Sequence, residues 1–389
     1  MKQIEQIDVL IVGSGPAGTS TALHLVQADR SWAGRIAVVD KAVHPREKLC
    51  GGGVTHLGMN VLARLGLDLK PPHFPIRKVR MVYQDQSYVF HGNPAFSIIR
   101  RDEFDHWLVQ TAQDWGILVR QGETVQGVTV HDEYVEIETD KAIFRASVLV
   151  AADGSRSKIR QWLKWDDESR VARLLEVLTP EDAHQPEFQG KTAVFDFSHM
   201  TDGLQGYYWD FPSLVKGQLM MNRGVFDSRA RPERPKVDLV NQLRLSMAER
   251  DRNLEAYKLK GHPIRWFDPK GRFAIRRVIL AGDAAGADPL FGEGISFALG
   301  YGDVAAAAIR DAFERNDFSF ATYKKRILSH TLLKQLQLRV FLARLSYTLK
   351  YPWLIRMGWR LARLAIRFTP WHSPDYVPAE EPPQLLLDY

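Results

Sequence analysis

The sequence predicts an α/β fold that an antiparallel β-sheet interrupts, followed by a C-terminal helical segment. Residues 7–40 contain a β-branched run, a glycine-rich turn, a helical stretch and a second β-branched run, the pattern of a βαβ unit. Residues 166–265 lose this alternation and contain aromatic-rich strand candidates, typical of an inserted mixed or antiparallel sheet. A β-branched strand at 277–281 and an Ala-rich helix at 294–313 then resume the first pattern. We therefore predict a discontinuous Rossmann-type domain with an insertion.

Apolar periodicity predicts the individual elements. Strands are expected at 7–12, 35–39, 77–83 and 87–92, helices at 19–27 and 102–115, and three strands before Asp153, the last at 147–151. Within the insertion, strands are expected at 192–197, 205–211 and 218–225. The elements divide the chain into a first domain (1–73, 97–165 and 266–320), an inserted second domain (74–96 and 166–265), a basic helical segment (321–370) and an extended tail (371–389).

The composition is that of an ordinary globular protein with an uneven charge distribution. The 389 residues are 25% charged and 45% hydrophobic, which excludes collagen-like and disordered chains. The single cysteine cannot form an internal disulfide, and no apolar run is long enough to span a membrane, so a cytoplasmic location is expected. Residues 323–368 hold 11 Lys and Arg and no Asp or Glu, which leaves 41 basic and 46 acidic residues elsewhere, a net charge of −5.

The turn after the first strand has the spacing of a dinucleotide phosphate loop, G-x-G-x-x-G. Gly13 provides the tight turn, Gly15 leaves room for a pyrophosphate and Gly18 allows the helix to pack closely. Ala17 belongs to this loop, just before the predicted helix, whose free N–H groups favour an anion. The loop therefore predicts a site for a dinucleotide.

An acidic residue closes the second strand at the position expected for ribose binding. Asp40 lies 22 residues after Gly18, and its carboxylate can accept hydrogen bonds from the ribose hydroxyls of an adenine nucleotide. We assign Asp40 and the adjacent Lys41 to the nucleotide site. An acid here favours an unphosphorylated ribose, so FAD or NAD is expected rather than NADP.

Two further motifs, Asp153-Gly154 and Ala281–Ala285, also follow predicted strands. With the glycine loop, they make the chain resemble the FAD enzymes of the p-hydroxybenzoate hydroxylase superfamily over about residues 7–310. The resemblance implies that FAD is the cofactor, that Asp283 holds a ribityl hydroxyl and that Asp153 lies near the pyrophosphate. It also implies NAD(P)H as a transient reductant. The first domain is thus the expected FAD-binding domain and the second the expected substrate domain.

The start of the Ala-rich helix and one arginine fit the same cofactor. Gly292 and Gly294 stand at the start of this helix, followed by Ile295, and the positive end of the helix can face the flavin where charge accumulates on reduction. Arg101 matches the arginine of the superfamily's R-x-x-F-D motif, which approaches the cofactor. We therefore place these four residues at the FAD site.

Residues 45–53, PREKLCGGG, are similar to the PR-x-K-x-CGG segment of the geranylgeranyl reductase family. Three glycines let this backbone lie close to a flat ring. The resemblance implies that Arg46 belongs to the cofactor site and that Cys50 lies near the flavin on the substrate side. Cys50 is therefore the candidate catalytic residue, with the role of a small buried hydrophobic residue as its alternative.

Residues 206–212 match the Y-x-W-x-F-P signature of the same family. Strand alternation places Tyr207, Trp209 and Phe211 on one face, an aromatic wall for an isoprenoid or aromatic substrate, with an ordinary sheet core as the alternative. Leu204 departs from the family pattern, which has proline there. The W-x-W-x-I-P motif of flavin halogenases is absent, which disfavours halogenation.

These resemblances imply an FAD-dependent oxidoreductase that reduces an alkene or isoprenoid substrate by flavin hydride transfer. One alternative is an NAD(P)H-dependent FAD monooxygenase that hydroxylates an aromatic or indole group, in a small molecule or a protein side chain. Another is a binding module that retains FAD structurally. No general acid or base stands out, since His56 and Asp288 only adjoin flavin motifs. No His, Cys and Asp cluster has metal-ligand spacing, so no metal is expected.

The basic segment at 323–368 has three candidate roles. Its helical periodicity places Leu354, Met357, Leu361, Leu364 and Phe368 on one stripe and Arg356, Arg360, Arg363 and Arg367 on another. This pattern predicts a peripheral membrane helix, with Trp353 and Trp359 near the headgroups. Docking on the acidic flavin domain and binding of an acidic protein partner are the alternatives. Nucleic acid is not expected, because the body is negatively charged and has no nucleic-acid-binding motif.

Overall fold

Two eight-stranded sheets and the helices around them make up the described part of the chain. The computed structural model describes residues 2–165, 170–347, 349 and 351–367. Its strands are β1 (Gln3–Val12), β2 (Ile36–Asp40), β3 (Gly53–Thr55), β4 (His73–Tyr83), β5 (Gln86–Ile99), β6 (Leu118–Gln121), β7 (Val125–Val130), β8 (Val135–Thr139), β9 (Ala142–Ala151), β10 (Val171–Pro180), β11 (Thr192–Asp196), β12 (Gly206–Val215), β13 (Gln218–Asp227), β14 (Lys260–Arg265), β15 (Ala274–Ile275) and β16 (Val278–Leu280). Its α-helices are α1 (Pro16–Ala28), α2 (His56–Arg64), α3 (Arg101–Asp114), α4 (Lys158–Trp162), α5 (Pro186–Gln189), α6 (Leu239–Ala248), α7 (Ile295–Arg315), α8 (Tyr323–Ser329), α9 (Gln335–Ser346) and α10 (Pro352–Arg367).

The first sheet brings the cofactor motifs to one edge. Its order is β15-β16-β9-β1-β2-β6, with β8 beside β9 and β7 beside β8, and β1 pairs in parallel with both β2 and β9. Strand β16 also runs parallel to β9. The Val, Ile and Leu runs of these strands share one buried core with α1, α3 and α7. Because carboxyl ends of parallel strands meet at one edge, the segments after β1, β2, β9 and β16 lie there together.

The two faces of the second sheet pack against different groups of residues. Its order is β14-β10-β13-β12-β11-β4-β5-β3, and its neighbours are antiparallel except for the parallel pair β11 and β4. Tyr207, Trp209 and Phe211 belong to an apolar cluster on one face, with Phe226 of β13. Tyr208 belongs to a second cluster with α6 on the opposite face. The predicted combination of a discontinuous Rossmann-type domain, an inserted mixed sheet and C-terminal helices is confirmed.

Several elements differ in detail from the sequence prediction. Four strands, β6 to β9, replace the three expected before Asp153, because β6 is only four residues long and shows no clear alternation of burial. Strands β10 and β14 were not predicted. The domain boundaries stay a prediction, although β3 pairs with β5 in the second sheet and residues 53–55 were assigned to the first domain. The expected tail at 371–389, residues 368–370 and thus Phe368 lie outside the described residues.

Candidate functional site

The glycine loop is fixed by steric contacts that admit no side chain. A Cβ on Gly13, whose φ is +108°, would lie 2.3 Å from the carbonyl oxygen of Ala152. A Cβ on Gly18 would lie 1.9 Å from the carbonyl oxygen of Gly13. Helix α1 begins at Pro16 with no side-chain cap, so its first N–H groups stay available to an anion. This geometry fits a bound pyrophosphate.

Asp40 lies beside the loop, at the end of β2. Its Oδ2 accepts hydrogen bonds from the backbone N–H (2.7 Å) and the hydroxyl (2.8 Å) of Ser14. Its Oδ1 accepts from the N–H of Ala42 at 2.8 Å. A carboxylate offers about four acceptor positions, so one more donor, such as a ribose hydroxyl, can be accommodated. Lys41 is exposed, and the nucleotide contacts of both residues stay predictions.

Two arginines share one buried carboxylate next to the loop. Arg101 donates to both oxygens of the fully buried Asp105, Nε to Oδ1 at 2.7 Å and Nη2 to Oδ2 at 2.8 Å. Arg46 Nη2 lies 3.1 Å from the same Oδ2. Burial lowers the pKa of the Arg101 guanidinium, but the charge and hydrogen bonds of Asp105 have the larger opposite effect. The net result is a raised pKa. Two cations against one anion leave a net positive charge.

This positive charge faces the phosphate loop. A Cβ on Gly15 would lie 3.7 Å from Nη2 of Arg46 and 3.9 Å from Nη2 of Arg101. The two guanidinium groups therefore stand within reach of the volume that a pyrophosphate would fill against the N-terminus of α1. The structure brings Arg46 and Arg101 together with the loop, as their assignment to the cofactor site requires.

Asp153 and Asp283 follow the neighbouring strands β9 and β16. Oδ2 of Asp153 accepts from the N–H of Lys158 (2.7 Å) and of Ile159 (3.2 Å), so this carboxylate caps α4. Burial raises the pKa of Asp153. Asp283 accepts from the hydroxyl of Ser155 at 3.2 Å, which links the two motifs. The expected cofactor contacts of both acids stay predictions.

Helix α7 starts beside Asp283. A Cβ on Gly294, the N-cap of α7, would lie 3.5 Å from Oδ1 of Asp283, and no side chain caps the helix. Gly292 has φ +69° and packs against the ring of Phe226. Ile295 is buried at the first helical position. The positive end of a 21-residue helix therefore opens at the junction of the two sheets.

The segment around Cys50 lies directly against the aromatic wall. A Cβ on Gly51 would lie 3.2 Å from the ring of Phe211 and 3.7 Å from Nε1 of Trp209. Asn222 joins the two parts, because it accepts from Trp209 Nε1 at 2.9 Å and donates to the carbonyl oxygen of Cys50 at 3.1 Å. Cys50, Trp209 and Phe211 thus form one site.

Two further features define the chemistry of this segment. Burial raises the pKa of the Cys50 thiol, which favours the neutral thiol over a nucleophilic thiolate. Tyr207 donates to the carbonyl oxygen of Phe291, just before α7, at 2.5 Å. The wall is therefore attached to the cofactor helix. The catalytic role of Cys50 and the substrate role of the wall stay predictions.

Cross-strand pairing adds polar residues that sequence patterns did not reveal. In one row Trp209 pairs with Gly224, Gly224 with Glu176, and Glu176 with Lys260. Two residues away in one direction along the strands, a second row joins Tyr207, Phe226, Leu174 and His262. Two residues away in the other direction, a third row joins Phe211, Asn222 and Leu178. Directly opposed residues share a face, so Glu176, His262 and Asn222 lie on the same face as the aromatic wall. The indole of Trp209 covers Gly224, where a Cβ would lie 2.2 Å from it.

Glu176 is the notable ionisable group of this face. Its side chain is buried, with only 4% of the residue exposed, and Oε2 has no hydrogen-bond partner among the described residues. Burial raises its pKa to about 7, although Arg100, the backbone N–H of Cys50, the Asn222 amide and Lys260 all favour the charged form. The group therefore exchanges a proton near neutral pH. The only signal in the sequence was position: Glu176 lies two residues after the buried Leu174 in β10, so strand alternation places both on the same face.

Lys48 forms a polar pair with His262, a residue on the same sheet face as Glu176. Lys48 Nζ lies 2.7 Å from Nε2 of His262. Burial lowers the pKa of Lys48 to about 8, and burial together with the charge of Lys48 lowers the pKa of His262 to about 4. Neutral imidazole therefore accepts from the ammonium. Among the described residues, no group of three His, Cys, Asp or Glu side chains has the arrangement to hold a metal ion.

Comparisons with known proteins agree with this geometry. A family model described as an FAD binding domain matches residues 6–301. The chain is 31% identical over 330 residues to a menaquinone reductase of Mycolicibacterium smegmatis, covering 77% of this chain and 75% of the relative. It is 27% identical over 378 residues to a digeranylgeranylglycerophospholipid reductase of Methanothrix thermoacetophila, covering 87% and 88%.

Solved structures show the same fold. The crystal structure of a geranylgeranyl bacteriochlorophyll reductase-like protein from Thermoplasma acidophilum matches with a TM-score of 0.73 and 20% identity, covering 89% of this chain and 87% of the other. Flavin-dependent halogenases also have this fold, at 16–21% identity. The fold alone therefore does not select a substrate, and the residues of the site must do so.

Proposed function

The chain belongs to the FAD binding domain family and is a geranylgeranyl reductase-like FAD-dependent oxidoreductase, and we propose that it reduces a carbon–carbon double bond of an isoprenoid substrate. The observation that carries the proposal is Glu176, a buried carboxyl group on the same sheet face as the aromatic wall. Relatives named menaquinone reductase and digeranylgeranylglycerophospholipid reductase support this substrate class. NAD(P)H is the proposed source of reducing equivalents.

Residues at the edge of the first sheet hold the cofactor in this proposal. The N–H groups at the start of α1, with Arg46 and Arg101, bind the pyrophosphate, and Asp40 and Asp283 accept from hydroxyls of the ribose and the ribityl chain. Bound reduced FAD supplies a hydride. The uncapped N-terminus of α7 would favour negative charge on a flavin bound beside it.

The aromatic wall binds the apolar chain of the substrate. Tyr207, Trp209, Phe211 and Phe226 are all buried and contribute to one apolar cluster. Such rings exclude water and offer flat apolar contacts, which fits an isoprenoid unit with no hydrogen-bonding groups. The hydrogen bonds of Tyr207 to Phe291 and of Trp209 to Asn222 hold the wall in place.

Glu176 supplies the proton in the proposed reaction. Reduction of C=C adds a hydride to one carbon and a proton to the other, and the reduced cofactor is oxidised by two electrons. A carboxyl group with a pKa of about 7 carries its proton at and below neutral pH and gives it up without a large penalty. The carboxylate that remains is reprotonated from solvent. Cys50 and Asn222 position this group next to the wall.

The proposal is tested with the FAD-loaded chain reduced anaerobically by dithionite. Menaquinone and a digeranylgeranylglycerophospholipid are added separately in deuterium oxide, and flavin absorbance near ~450 nm reports reoxidation. We expect reoxidation without oxygen and two solvent deuterium atoms in the saturated product, one on each carbon of the former double bond, because the hydrogen on reduced flavin also exchanges with solvent. Glu176→Gln should slow this step by about 10²–10⁴-fold, whereas Glu249→Gln, at an exposed site, should leave it unchanged.

A different outcome would favour aromatic hydroxylation instead. The reduced protein would then not be reoxidised by either alkene, but would form a hydroxylated product from oxygen and an aromatic substrate. In that case the chain is a monooxygenase and the reductase proposal fails. Unchanged reduction by Glu176→Gln, with deuterium still incorporated, would leave the reductase intact and remove the glutamate from its mechanism.

A further inference from the structure

Exposed apolar side chains concentrate on the last two helices. Among the described residues, eight of the fifteen exposed large hydrophobic residues lie between 338 and 364. They are Leu338, Phe341 and Leu345 of α9, Tyr351, and Trp353, Met357, Leu361 and Leu364 of α10. The spacings follow the helical period, so each helix presents one apolar stripe to solvent. We call these eight residues the α9–α10 surface.

The two helices are nevertheless docked on the body. Val340 and Ala343 of α9 and Ile355 of α10 are buried, and Tyr347 donates to the carbonyl oxygen of Leu290 at 2.7 Å. Trp359, predicted to lie near headgroups, instead packs 4.8 Å from the ring of Phe197. Each helix therefore has one face against the protein and a separate apolar face that remains exposed.

The basic residues of the segment divide in the same way. Arg339, with 18% of its side chain exposed, pairs with Asp288 (2.6 Å) and with Glu293 (2.8 Å), so this one arginine faces the protein body. Lys334, Arg344 and Arg360 are exposed. The whole stretch 323–368 contains no Asp or Glu. The α9–α10 surface therefore has exposed cations beside it, and the segment itself contains no acidic residue to neutralise them.

We propose that the α9–α10 surface docks on the anionic face of a lipid bilayer. Apolar side chains on a helix lying in the interface enter the acyl boundary, while lysine and arginine attract anionic headgroups. Trp353 and Tyr351, each 63% exposed, are the residue types that prefer the headgroup level. No described helix is long and apolar enough to cross a membrane. Charge complementarity favours the bilayer over an uncharged apolar partner.

The position of the surface connects it with the substrate wall. Trp359 on the inner face of α10 contacts Phe197, whose ring centre lies 5.3 Å from that of Tyr207. Arg339 of α9 pairs with Glu293, between the two glycines that precede α7. A bilayer on the outer face would therefore lie close to the wall. This functional link rests on the proposed function, whereas bilayer docking itself requires no turnover.

The test is flotation of the full FAD-loaded chain with vesicles. We expect binding to phosphatidylcholine vesicles that contain phosphatidylglycerol and little binding to phosphatidylcholine alone. The variant Trp353→Gln/Met357→Gln/Leu361→Gln should bind at least about tenfold more weakly, because it removes the inserting side chains. The matched control is Val240→Gln/Leu245→Gln on α6, where Leu245 has the same 47% exposure as Met357.

Charge is tested separately from apolar insertion. Arg344→Gln/Arg360→Gln should weaken binding to the anionic vesicles about 25-fold, about fivefold for each arginine, and added salt should reduce this difference. Lys141→Gln/Lys236→Gln removes two exposed charges elsewhere and should have little effect. Retained FAD absorbance and an unchanged Tm show that each variant is folded.

Two results would overturn the proposal. Equal flotation of the wild type and both α9–α10 variants would exclude bilayer docking through this surface. A wild-type dimer in sedimentation equilibrium, dissociated by the apolar variant while vesicle binding is unchanged, would identify the surface as a self-association interface. Because neither readout involves substrate, failure here leaves the alkene-reduction proposal standing, and failure of that proposal leaves this one testable.

Discussion

The proposed cofactor side and the proposed substrate side of the site are built in different ways. On the cofactor side, Gly13, Gly18 and Asp40 belong to one βαβ unit. The two glycines cannot be replaced there, because an added Cβ would lie as close as 1.9 Å to a backbone atom. On the substrate side, Glu176 and Trp209 come from different strands and lie on one sheet face only because β10, β13 and β12 align them. One side is specified by short-range geometry and the other by sheet register.

This difference has a physical consequence for substitution. Close backbone contacts leave no space for an added atom, so the cofactor side should respond most strongly to changes in volume. The substrate face holds a buried ionisable group beside apolar rings, so it should respond to changes in charge and pH. The predictions below test this division, starting with the largest effect.

The first prediction concerns Gly18→Ala. The added Cβ would lie 1.9 Å from the carbonyl oxygen of Gly13 and 3.1 Å from Ile11, so β1 and α1 must separate. We expect a destabilisation of about 5 kcal/mol or more and loss of bound FAD. Thermal unfolding and the ratio of flavin to protein absorbance measure both effects.

Gly34→Ala is the matched control, because a Cβ at Gly34 meets no atom within 4 Å. Its Tm and FAD content should match those of the wild type. If Gly18→Ala behaves like the control, the loop is not packed as described, and the contrast between the two sides of the site is wrong.

The second prediction concerns the two arginines at the loop. Arg101→Leu leaves the buried Asp105 with Arg46 alone, so we expect a loss of about 3 kcal/mol in the free energy of unfolding. The FAD Kd should also rise by about tenfold or more, because one cation near the pyrophosphate is lost. Urea denaturation and fluorescence titration with FAD measure these changes.

An exposed ion pair provides the comparison for this variant. Arg64 lies 3.6 Å from Asp303, with half of the arginine side chain exposed. Arg64→Leu should change stability by less than about 1 kcal/mol and leave FAD binding unchanged. Equal losses in the two variants would mean that burial does not strengthen the Arg101 pair.

The cofactor side was largely predictable because its signals are local. The order of strand, glycine loop, helix and Asp40 is visible within one stretch, and parallel strands necessarily carry Asp153 and Asp283 to the same edge. The family resemblance then supplied Arg46 and Arg101, but it gave no sign of the carboxylate of Asp105 that they share. Pairing between remote side chains has no spacing signature.

The substrate side was only half predictable. Alternation placed Tyr207, Trp209 and Phe211 on one face, as the structure has them, but His262 and Glu176 depend on the register of β14 and β10, two strands that were not predicted. The basic segment was also only partly predictable, because its composition does not distinguish Arg339 from Arg360. The fold holds the first in two ion pairs against the body, with 18% of its side chain exposed, and leaves the second exposed.

The last prediction concerns the pH dependence of stability at Glu176. Its folded-state pKa of about 7 exceeds the ordinary value of 4.5, so between these values the folded protein binds the proton more tightly than the unfolded chain does. The stability of the wild type should therefore fall as pH rises from about 4.5 to 7, and Glu176→Gln should lack this loss. By pH ~8 the variant should have gained about 2–3 kcal/mol relative to the wild type, compared with pH ~4.5.

Urea denaturation at each pH measures this difference, with Glu249→Gln as the control. Glu249 is exposed, so its variant should follow the wild type at every pH. A difference between Glu176→Gln and the wild type that stays constant with pH would show that Arg100 and Lys260 keep the carboxylate charged throughout. A group that is charged at neutral pH has no proton to give, so that result would also remove Glu176 from the proposed reduction. The register of the second sheet would then supply the shape of the substrate site but not its proton.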